Sequence, residues 1–150
     1  MVADSVHISA VTTLPDGILE LLETSLSEGH DLVERLVAEW EDGTNRFDRT
    51  GEILLEARRL GRLVGVGGLN RDPYIDDPGV GRIRHLYVVP AARGVGAGRD
   101  LVIALVDHAR GSFERVRLRA GPDEARDFYL RLGFEETPDE EDSTHQIRLR

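Results

Sequence analysis

The chain contains neither cysteine nor lysine among its 150 residues. The absence of cysteine excludes a disulfide scaffold, a thiolate nucleophile and a cysteine metal site, and we expect no bound metal. The absence of lysine means that all 19 basic residues are arginine. We interpret this composition as codon bias toward GC-rich DNA, and we therefore expect a bacterial source.

Long apolar runs and an excess of positive charge are also missing. The longest apolar run, residues 101–106, is far too short to cross a membrane. The first residues show neither the basic nor the apolar region of a secretory signal, so we expect a cytoplasmic protein. A net charge of -9 argues against nucleic-acid binding. It is compatible with a cationic amine substrate, although solubility explains it equally well.

The length and the apolar spacing predict one α/β domain over residues 1–150. Asp16 and Asp31 are expected to cap the first two helices, and Gly29, Gly43 and Gly133 are expected to end helices. Strands are expected at 6–11, 51–59, 63–69, 82–89, 113–118, from 134 onward and at 146–150. The last two helices are expected from about Arg99 and from Pro122 or Asp123.

The most informative segment runs from an apolar strand through a glycine-rich turn into a helix. Pro90 ends the strand because proline has no N–H group to donate. Gly94, Gly96 and Gly98 then leave the backbone bare where the helix begins. Unpaired N–H groups and the positive end of the helix dipole make such a turn a site for a phosphate or pyrophosphate group.

Four interpretations of this turn compete. A Walker loop requires Gly-Lys followed by Ser or Thr, which is absent. A dinucleotide-binding turn requires Gly-x-Gly-x-x-Gly, but Arg99 stands where its last glycine would be. The third pattern, Arg-x-x-Gly-x-Gly, is met by Arg93, Gly96 and Gly98. The fourth interpretation is a glycine-rich turn that binds nothing.

A second segment, residues 125–134, reads Ala-Arg-Asp-Phe-Tyr-Leu-Arg-Leu-Gly-Phe. It resembles the signature Ala-x-x-hydrophobic-Tyr-x-x-hydrophobic-Gly-Phe of the GNAT N-acetyltransferase superfamily. The Arg-x-x-Gly-x-Gly turn resembles the acetyl-CoA pyrophosphate loop of the same superfamily. The two segments occur in the superfamily's order, with one helix and one strand between them, and together they favour the third interpretation.

The resemblance implies a GNAT-like fold, in which a central mixed, mostly antiparallel sheet is flanked by helices. It implies transfer of an acetyl group from acetyl-CoA directly to the primary amine of a small molecule or peptide, by a chain that could form a homodimer. Tyr129 would act as the general acid that protonates the thiolate, since a phenol and a thiol have similar pKa values. The cofactor would be held by Leu86, Val88, Arg93, Gly94, Val95, Gly96, Ala97, Gly98 and Arg99.

A general base is hard to find in the sequence. The strand at 82–89 carries no carboxylate, and His85 is its one candidate with a suitable ordinary pKa. Strand alternation places His85 and Tyr87 on one face and Arg84, Leu86 and Val88 on the other. A structural role for His85 is favoured. The missing base keeps one alternative open, a non-catalytic CoA-binding or regulatory module.

Two further segments bear on the site. In the loop at 70–81, Tyr74, Asp76 and Asp77 are weak candidates for an amine pocket, although a plain surface turn is favoured. Many relatives carry an asparagine just before the tyrosine helix. Here Asp123 stands nearest to that position, and we interpret it as a helix cap.

Overall fold

The computed structural model describes residues 5–121 and 123–149, which form a seven-stranded sheet with helices on both faces. None of the helices in these ranges is long and apolar enough to span a membrane. The elements are β1 (Val6–Val11), α1 (Ile18–Ser27), α2 (Leu32–Asp42), β2 (Ile53–Arg59), β3 (Arg62–Arg71), β4 (Val80–Val88), α3 (Ala97–Ala109), β5 (Arg115–Leu118), α4 (Asp123–Arg131), β6 (Glu135–Glu136) and β7 (His145–Arg148).

The strand order across the sheet is β1-β2-β3-β4-β5-β7-β6. All neighbouring strands are antiparallel except β4 and β5, which confirms the expected mixed, mostly antiparallel sheet. One core lies under α1 and α2 and includes Leu36 and Val66. The second core lies under α3 and α4 and includes Leu101, Leu105 and Val116.

The starts of the first three helices differ in detail from the prediction. Gly17 rather than Asp16 precedes α1, because the chain enters this helix through a φ of 90° that glycine adopts without strain. Asp31 precedes α2 as expected, but its side chain makes no capping hydrogen bond. The third helix, α3, begins at Ala97, slightly before the expected start near Arg99.

The C-terminal elements are shorter than expected. Gly133 follows α4 with a φ of 98°, as its predicted role requires. The expected strand after Phe134 is confined to the two residues of β6, since the acidic segment beyond it turns back toward β7. The expected helix start at Pro122 and strand end at Arg150 lie outside the described residues.

A β-bulge interrupts the pairing of β3 with β4. Val66 pairs with Tyr87 and Gly68 pairs with Arg84, so two residues of β4 oppose one residue of β3. His85 lies at the bulge with a φ of 57°, a conformation that residues other than glycine seldom adopt. The bulge therefore breaks the simple alternation of side chains along β4.

The predicted faces of β4 are partly wrong for this reason. His85 and Tyr87 share the α2 side of the sheet as expected, while Leu86 and Val88 pack against the core under α3. Arg84, however, lies on the side of His85. Both side chains approach Glu39 of α2, at 3.9 Å from Arg84 and 3.6 Å from His85.

The only parallel pairing in the described sheet is short. β4 and β5 pair at three positions, from Val80 with Arg115 to Arg82 with Arg117. β4 then continues to Val88 with no strand beside it on that edge in the described ranges. The two strands therefore diverge and leave an opening in the middle of the sheet.

A buried charge network holds the paired ends of these strands together. The fully buried Asp72 carboxylate accepts hydrogen bonds from Arg117 Nε at 2.8 Å and from Arg82 Nη1 at 3.3 Å. Its second oxygen accepts the backbone N–H of Tyr74 at 2.8 Å. Arg117 also donates to Glu140, at 2.8 Å, in the segment between β6 and β7. One carboxylate thus ties together the end of β3 and the paired parts of β4 and β5.

The same hydrogen bonds and charges shift the pKa of the Asp72 carboxyl. Burial alone would raise the pKa of the Asp72 carboxyl. Hydrogen bonds from Arg117 and the Tyr74 N–H, together with the charges of Arg82 and Arg117, outweigh burial and hold the pKa below its ordinary value. Asp72 is therefore ionised in the folded protein at neutral pH.

We expect Asp72→Asn to lower the free energy of unfolding by about 3–5 kcal/mol at pH 7, because two buried arginines lose their shared negative charge. A group whose pKa is lowered by folding stabilises above its unfolded pKa of about 3.9 and loses that contribution as pH falls through the folded pKa. Urea unfolding measured from pH 7 to pH 3 should therefore show that the difference in free energy of unfolding between wild type and Asp72→Asn becomes smaller below about pH 4.

The matched control is Glu20→Gln, which breaks the exposed pair of Glu20 with Arg62. Its effect should stay within about 0.5 kcal/mol. Equal stabilities of wild type and Asp72→Asn at pH 7 would contradict a structural role for the network.

Candidate active site

A cavity of about 770 Å³ opens where β4 leaves β5. Residues 82–88 of β4 form one wall, and residues 118–121 at the end of β5 form the facing wall. Gly98 of α3, three residues of α4 and residues 29–32 between α1 and α2 complete the lining. The glycine turn and the tyrosine helix, which the sequence singles out separately, therefore meet at one site.

The glycine turn presents free backbone donors. The N–H groups of residues 94–99 have no acceptor among the described residues. The hydrogen bonding of α3 begins with the Asp100 N–H, which donates to the Gly96 carbonyl at 2.9 Å. Gly94 and Gly96 both have positive φ, at 84° and 88°. Free donors at the positive end of a thirteen-residue helix form a site for an anion.

Gly98 is the point where the turn meets the cavity. A Cβ placed on it would lie 3.6 Å from the ring of Phe128 and 3.8 Å from the side chain of Val88. The start of α3, the end of β4 and α4 therefore approach one another closely here. The missing side chain at this position leaves room between them.

The open edge of β4 supplies another backbone donor. The Val89 N–H donates to the Val64 carbonyl of β3 at 2.9 Å. Because successive residues of an antiparallel strand point their backbone groups in opposite directions, the Val88 N–H points away from β3. Leu86, two residues earlier, shares this direction. Both expected residues therefore present backbone groups at the edge of β4 that lines the cavity.

Arg93, expected at the phosphates, makes a different set of contacts. Its guanidinium binds both oxygens of Glu28 at 2.7 and 2.9 Å, and its Nε donates to the Val88 carbonyl at 3.1 Å. Hydrogen bonds from Arg93 and Tyr87 lower the pKa of the Glu28 carboxyl. Arg93 thus joins the end of α1 to the turn before α3. Sequence reasoning missed Glu28, since no local pattern links residues so far apart in the chain.

The remaining expected contacts of the turn differ in exposure. Val95 and Arg99 are exposed at the surface of the turn. Ala97 is buried beneath it. Backbone groups therefore dominate the accessible part of this site, and Arg99 is the side chain available to add positive charge beside them.

Tyr129 is the buried phenol of the cavity. Its ring packs against Phe128, Phe134 and His145, with centroids 5.0, 5.5 and 6.0 Å away. Its hydroxyl has no hydrogen-bond partner among the described residues. Burial raises the pKa of the Tyr129 phenol. The group therefore keeps its proton at neutral pH and has that proton available for a ligand.

All three tyrosines of the chain line this cavity, but they differ in their hydrogen bonds. The Tyr87 hydroxyl donates to Glu28, and burial together with this bond raises the pKa of Tyr87. Tyr74 is half-exposed, and the Arg82 guanidinium lies 4.7 Å from its ring centroid. Of the three phenols, Tyr129 combines burial with an uncommitted proton.

His85 is unsuited to gain a proton at neutral pH. Burial lowers the pKa of its imidazole to about 3, and the positive charges of Arg84 and Arg35 add to this effect. Neither ring nitrogen has a hydrogen-bond partner among the described residues. The ring packs edge-on against Phe47 at 6.2 Å. These surroundings agree with the structural role that the sequence favours.

The loop between β3 and β4 contributes less than the amine-pocket hypothesis requires. Tyr74 reaches the cavity, but Asp76 lies fully exposed on a separate depression of about 560 Å³. Asp77 accepts the Gly79 N–H at 2.8 Å, as in a plain turn. In the described ranges, no group of three His, Asp or Glu side chains is arranged to hold a metal ion.

Comparison with solved structures finds the same architecture. An Exiguobacterium sp. 255-15 protein, provisionally assigned as an acetyltransferase, is 31% identical and superposes with a TM-score of 0.83, covering 96% of this chain and 93% of its own. YhbS from Escherichia coli, a GNAT family N-acetyltransferase solved with CoA, is 20% identical with a TM-score of 0.72, over 98% of this chain and 83% of its own. YncA from Salmonella typhimurium, solved with acetyl-CoA, is 17% identical with a TM-score of 0.73, over 98% and 95%.

Sequence comparison agrees with this result. Mycothiol acetyltransferase from Mycobacteroides abscessus is 33% identical over 107 residues, which cover 69% of this chain. The matched region is 33% of that enzyme, so the chain spans about a third of its length. The model of the acetyltransferase (GNAT) family matches residues 16–134, which include the diverging strands, the glycine turn and the tyrosine helix. The chain therefore belongs to the acetyltransferase (GNAT) family.

Proposed function

We propose that this chain is an acetyl-CoA-dependent N-acetyltransferase that acetylates a primary amine by direct attack on the thioester. The observation that carries the proposal is one cavity lined both by Gly98, beside the free backbone donors of the glycine turn, and by Tyr129, whose hydroxyl has no hydrogen-bond partner among the described residues. A cytoplasmic location, a bacterial source and a homodimer stay predictions.

The residues of the cavity fit the proposed cofactor. The N–H groups of residues 94–99 and the side chain of Arg99 would hold the pyrophosphate, because they combine free donors with positive charge. The backbone of Leu86 and Val88 would bind the extended arm along the open edge of β4. The gap at Gly98 lets that arm pass between Val88 and Phe128. When bound, acetyl-CoA supplies the thioester whose carbonyl carbon accepts the amine nitrogen.

The Val88 N–H would stabilise the negative charge that develops on the carbonyl oxygen. Its N–H points toward the cavity and comes from a strand that the ladder with β3 holds rigid. A donor already in place gives more stabilisation than water, because it does not have to reorient during the reaction.

Tyr129 would complete the transfer by moving one proton. Tyr129 Oη would donate its proton to the departing sulfur, which would keep the electron pair of the broken carbon–sulfur bond. Water then returns a proton to the phenolate. The raised pKa of Tyr129 keeps the phenol protonated before this step, so it acts as an acid.

The amine must also lose a proton, and His85 does not provide the means because its pKa is about 3. His30 also lines the cavity, and its exposed ring lies 6.4 Å from that of Tyr87. We assign His30 as the proton acceptor, with direct access to solvent.

The His30 assignment makes a simple prediction. His30→Gln should lower kcat about tenfold or more, because transfer of the amine proton loses its base. The affinity for acetyl-CoA should change little, since His30 is not among the groups proposed to hold the cofactor. Steady-state kinetics and calorimetric titration measure the two quantities, and an unchanged kcat would leave proton removal to water alone.

Gly98→Ala is expected to change stability and cofactor affinity in opposite directions. Alanine should raise the free energy of unfolding by about 0.5–1 kcal/mol, because glycine is a poor residue inside a helix. The same methyl group narrows the gap between Val88 and Phe128, so acetyl-CoA affinity should fall about tenfold. Calorimetry and urea unfolding measure the two effects. Gly111→Ala, just beyond the other end of α3, is the control and should leave affinity unchanged.

Tyr129→Phe tests the general acid. The substitution removes a hydroxyl that has no hydrogen-bond partner among the described residues, so stability and acetyl-CoA affinity should change little. The value of kcat should fall about a hundredfold or more, because the departing thiolate loses its proton donor. Tyr74→Phe is the matched control, since it removes the hydroxyl of another cavity-lining tyrosine.

Two outcomes test the role of Tyr129 and distinguish an enzyme from a non-catalytic binding module. Equal kcat values for wild type and Tyr129→Phe would remove Tyr129 from the mechanism. Tight acetyl-CoA binding by the wild type with no thiol release from any amine would favour the alternative of a non-catalytic CoA-binding or regulatory module.

A further inference from the structure

The charge of the cavity is opposite to that of the whole protein. The chain carries a net charge of -9. Among the described lining residues, however, arginines outnumber carboxylates. The arginines are Arg35, Arg82, Arg84, Arg93 and Arg119, and the carboxylates are Asp31 and Asp142. The cavity is therefore a local region of positive charge in an acidic protein.

Two of these arginines are already committed to protein partners. Arg82 binds Asp72 and donates to the Asp142 carbonyl at 2.7 Å. Arg93 binds both oxygens of Glu28. A third, Arg119, is exposed just beyond the end of β5. The positive charge near the loop between α1 and α2 comes from the remaining two arginines.

Arg84 is unusual because its side chain is little exposed and yet forms no hydrogen bond with the described residues. Its side chain is only 9% exposed, yet it makes no hydrogen bond to any described residue. The nearest carboxylate oxygen, on Glu39, lies 3.9 Å away, beyond hydrogen-bond distance. The N–H groups of Arg84 therefore have no protein acceptor among the described residues. Arg84 lines the cavity, and its donors are available to a ligand there.

Arg35 adds a second positive charge beside Arg84. It lies on α2, is half-exposed, and approaches its nearest carboxylate, on Asp31, only to 3.9 Å. Both arginines act on the same imidazole, since their charges lower the pKa of His85. One guanidinium comes from β4 and the other from α2, and both arginines line the cavity.

We propose that the acceptor is a primary amine that also carries a carboxylate, and that Arg84 and Arg35 bind this carboxylate. The proposal rests on the proposed function and specifies its substrate class. Amino acids and peptides with a nearby carboxylate belong to the class. A guanidinium matches a carboxylate because its N–H groups can donate in parallel to both oxygens.

The same geometry disfavours polycationic acceptors. A polyamine or an aminoglycoside would bring further positive charges toward Arg84 and Arg35, and Arg84 would stay without a hydrogen bond. The net charge of the chain favours attraction of such cations only at long range, where salt screens it. Contacts inside the cavity decide which acceptor is bound.

The test uses three acceptors that share one amine and one side chain: phenylalanine, phenylalaninamide and phenethylamine. We expect wild type to acetylate phenylalanine with a kcat/KM at least about tenfold above the other two. Arg84→Gln should remove this preference, mainly by raising the KM for phenylalanine. Arg84→Lys keeps the charge and should restore part of the preference. Arg62→Gln, on the exposed surface away from the cavity, should behave as wild type.

Binding is measured separately, so that failure of this inference is distinguishable from failure of the proposed function. In the presence of CoA, phenylalanine should raise the melting temperature of wild type more than phenylalaninamide does, and Arg84→Gln should abolish the difference. The same result without turnover would support the carboxylate site and overturn the proposed activity.

Equal kcat/KM and equal thermal shifts for the three acceptors would overturn the carboxylate site while leaving acetyl transfer intact. Preference for a polyamine, unaffected by Arg84→Gln, would do the same. If Arg84→Gln does not fold, Arg35→Gln replaces it. Arg35 is half-exposed, and its loss should lower the preference for phenylalanine at least about threefold.

Discussion

The divergence of β4 from β5 is the constraint on which the rest of the structure depends. Parallel pairing ends at Arg82, and the next six residues of β4 keep one edge free in the described sheet. The backbone N–H and C=O groups along an open strand edge normally form hydrogen bonds with another strand or with water. Here Asp72 holds the paired ends and the ladder with β3 holds the free part, so the opening is rigid. The proposed cofactor would occupy the place of the missing strand.

The arginines of the chain divide into structural and available groups around this opening. Arg82, Arg117 and Arg93 have carboxylate partners at hydrogen-bond distance, and they join elements distant in sequence. Within the part of the chain that the structure describes, Arg84 has no carboxylate at hydrogen-bond distance, and the oxygen of Glu39 lies 3.9 Å away. Because arginine stays charged when buried, it suits both roles, whereas a buried lysine could lose its proton instead. The two groups of arginines therefore differ in whether a carboxylate of the protein lies at hydrogen-bond distance from the guanidinium.

Local patterns in the sequence suffice for the glycine turn, α3, Gly133 and the place of Tyr129, because each depends on residues close together in the chain. The long-range features could not be predicted in this way. The bulge that turns Arg84 to the side of His85 arises from pairing with β3. The bond between Arg93 and Glu28 joins residues 65 positions apart. For this reason the family and the cofactor turn could be recognised from the sequence. The positive charge of the cavity lining could be recognised only from the structure.

The Tyr129 hydroxyl and the Arg84 guanidinium belong to residues that line one cavity, and neither group has a hydrogen-bond partner among the described residues. Donors that no described group of the protein accepts are available to a ligand that enters the cavity. Tyr129 suits a group that gains a proton as it leaves, and Arg84 suits one that is already negative. A cavity with these two donors is therefore better matched to an amine bearing a carboxylate than to an amine bearing further positive charges.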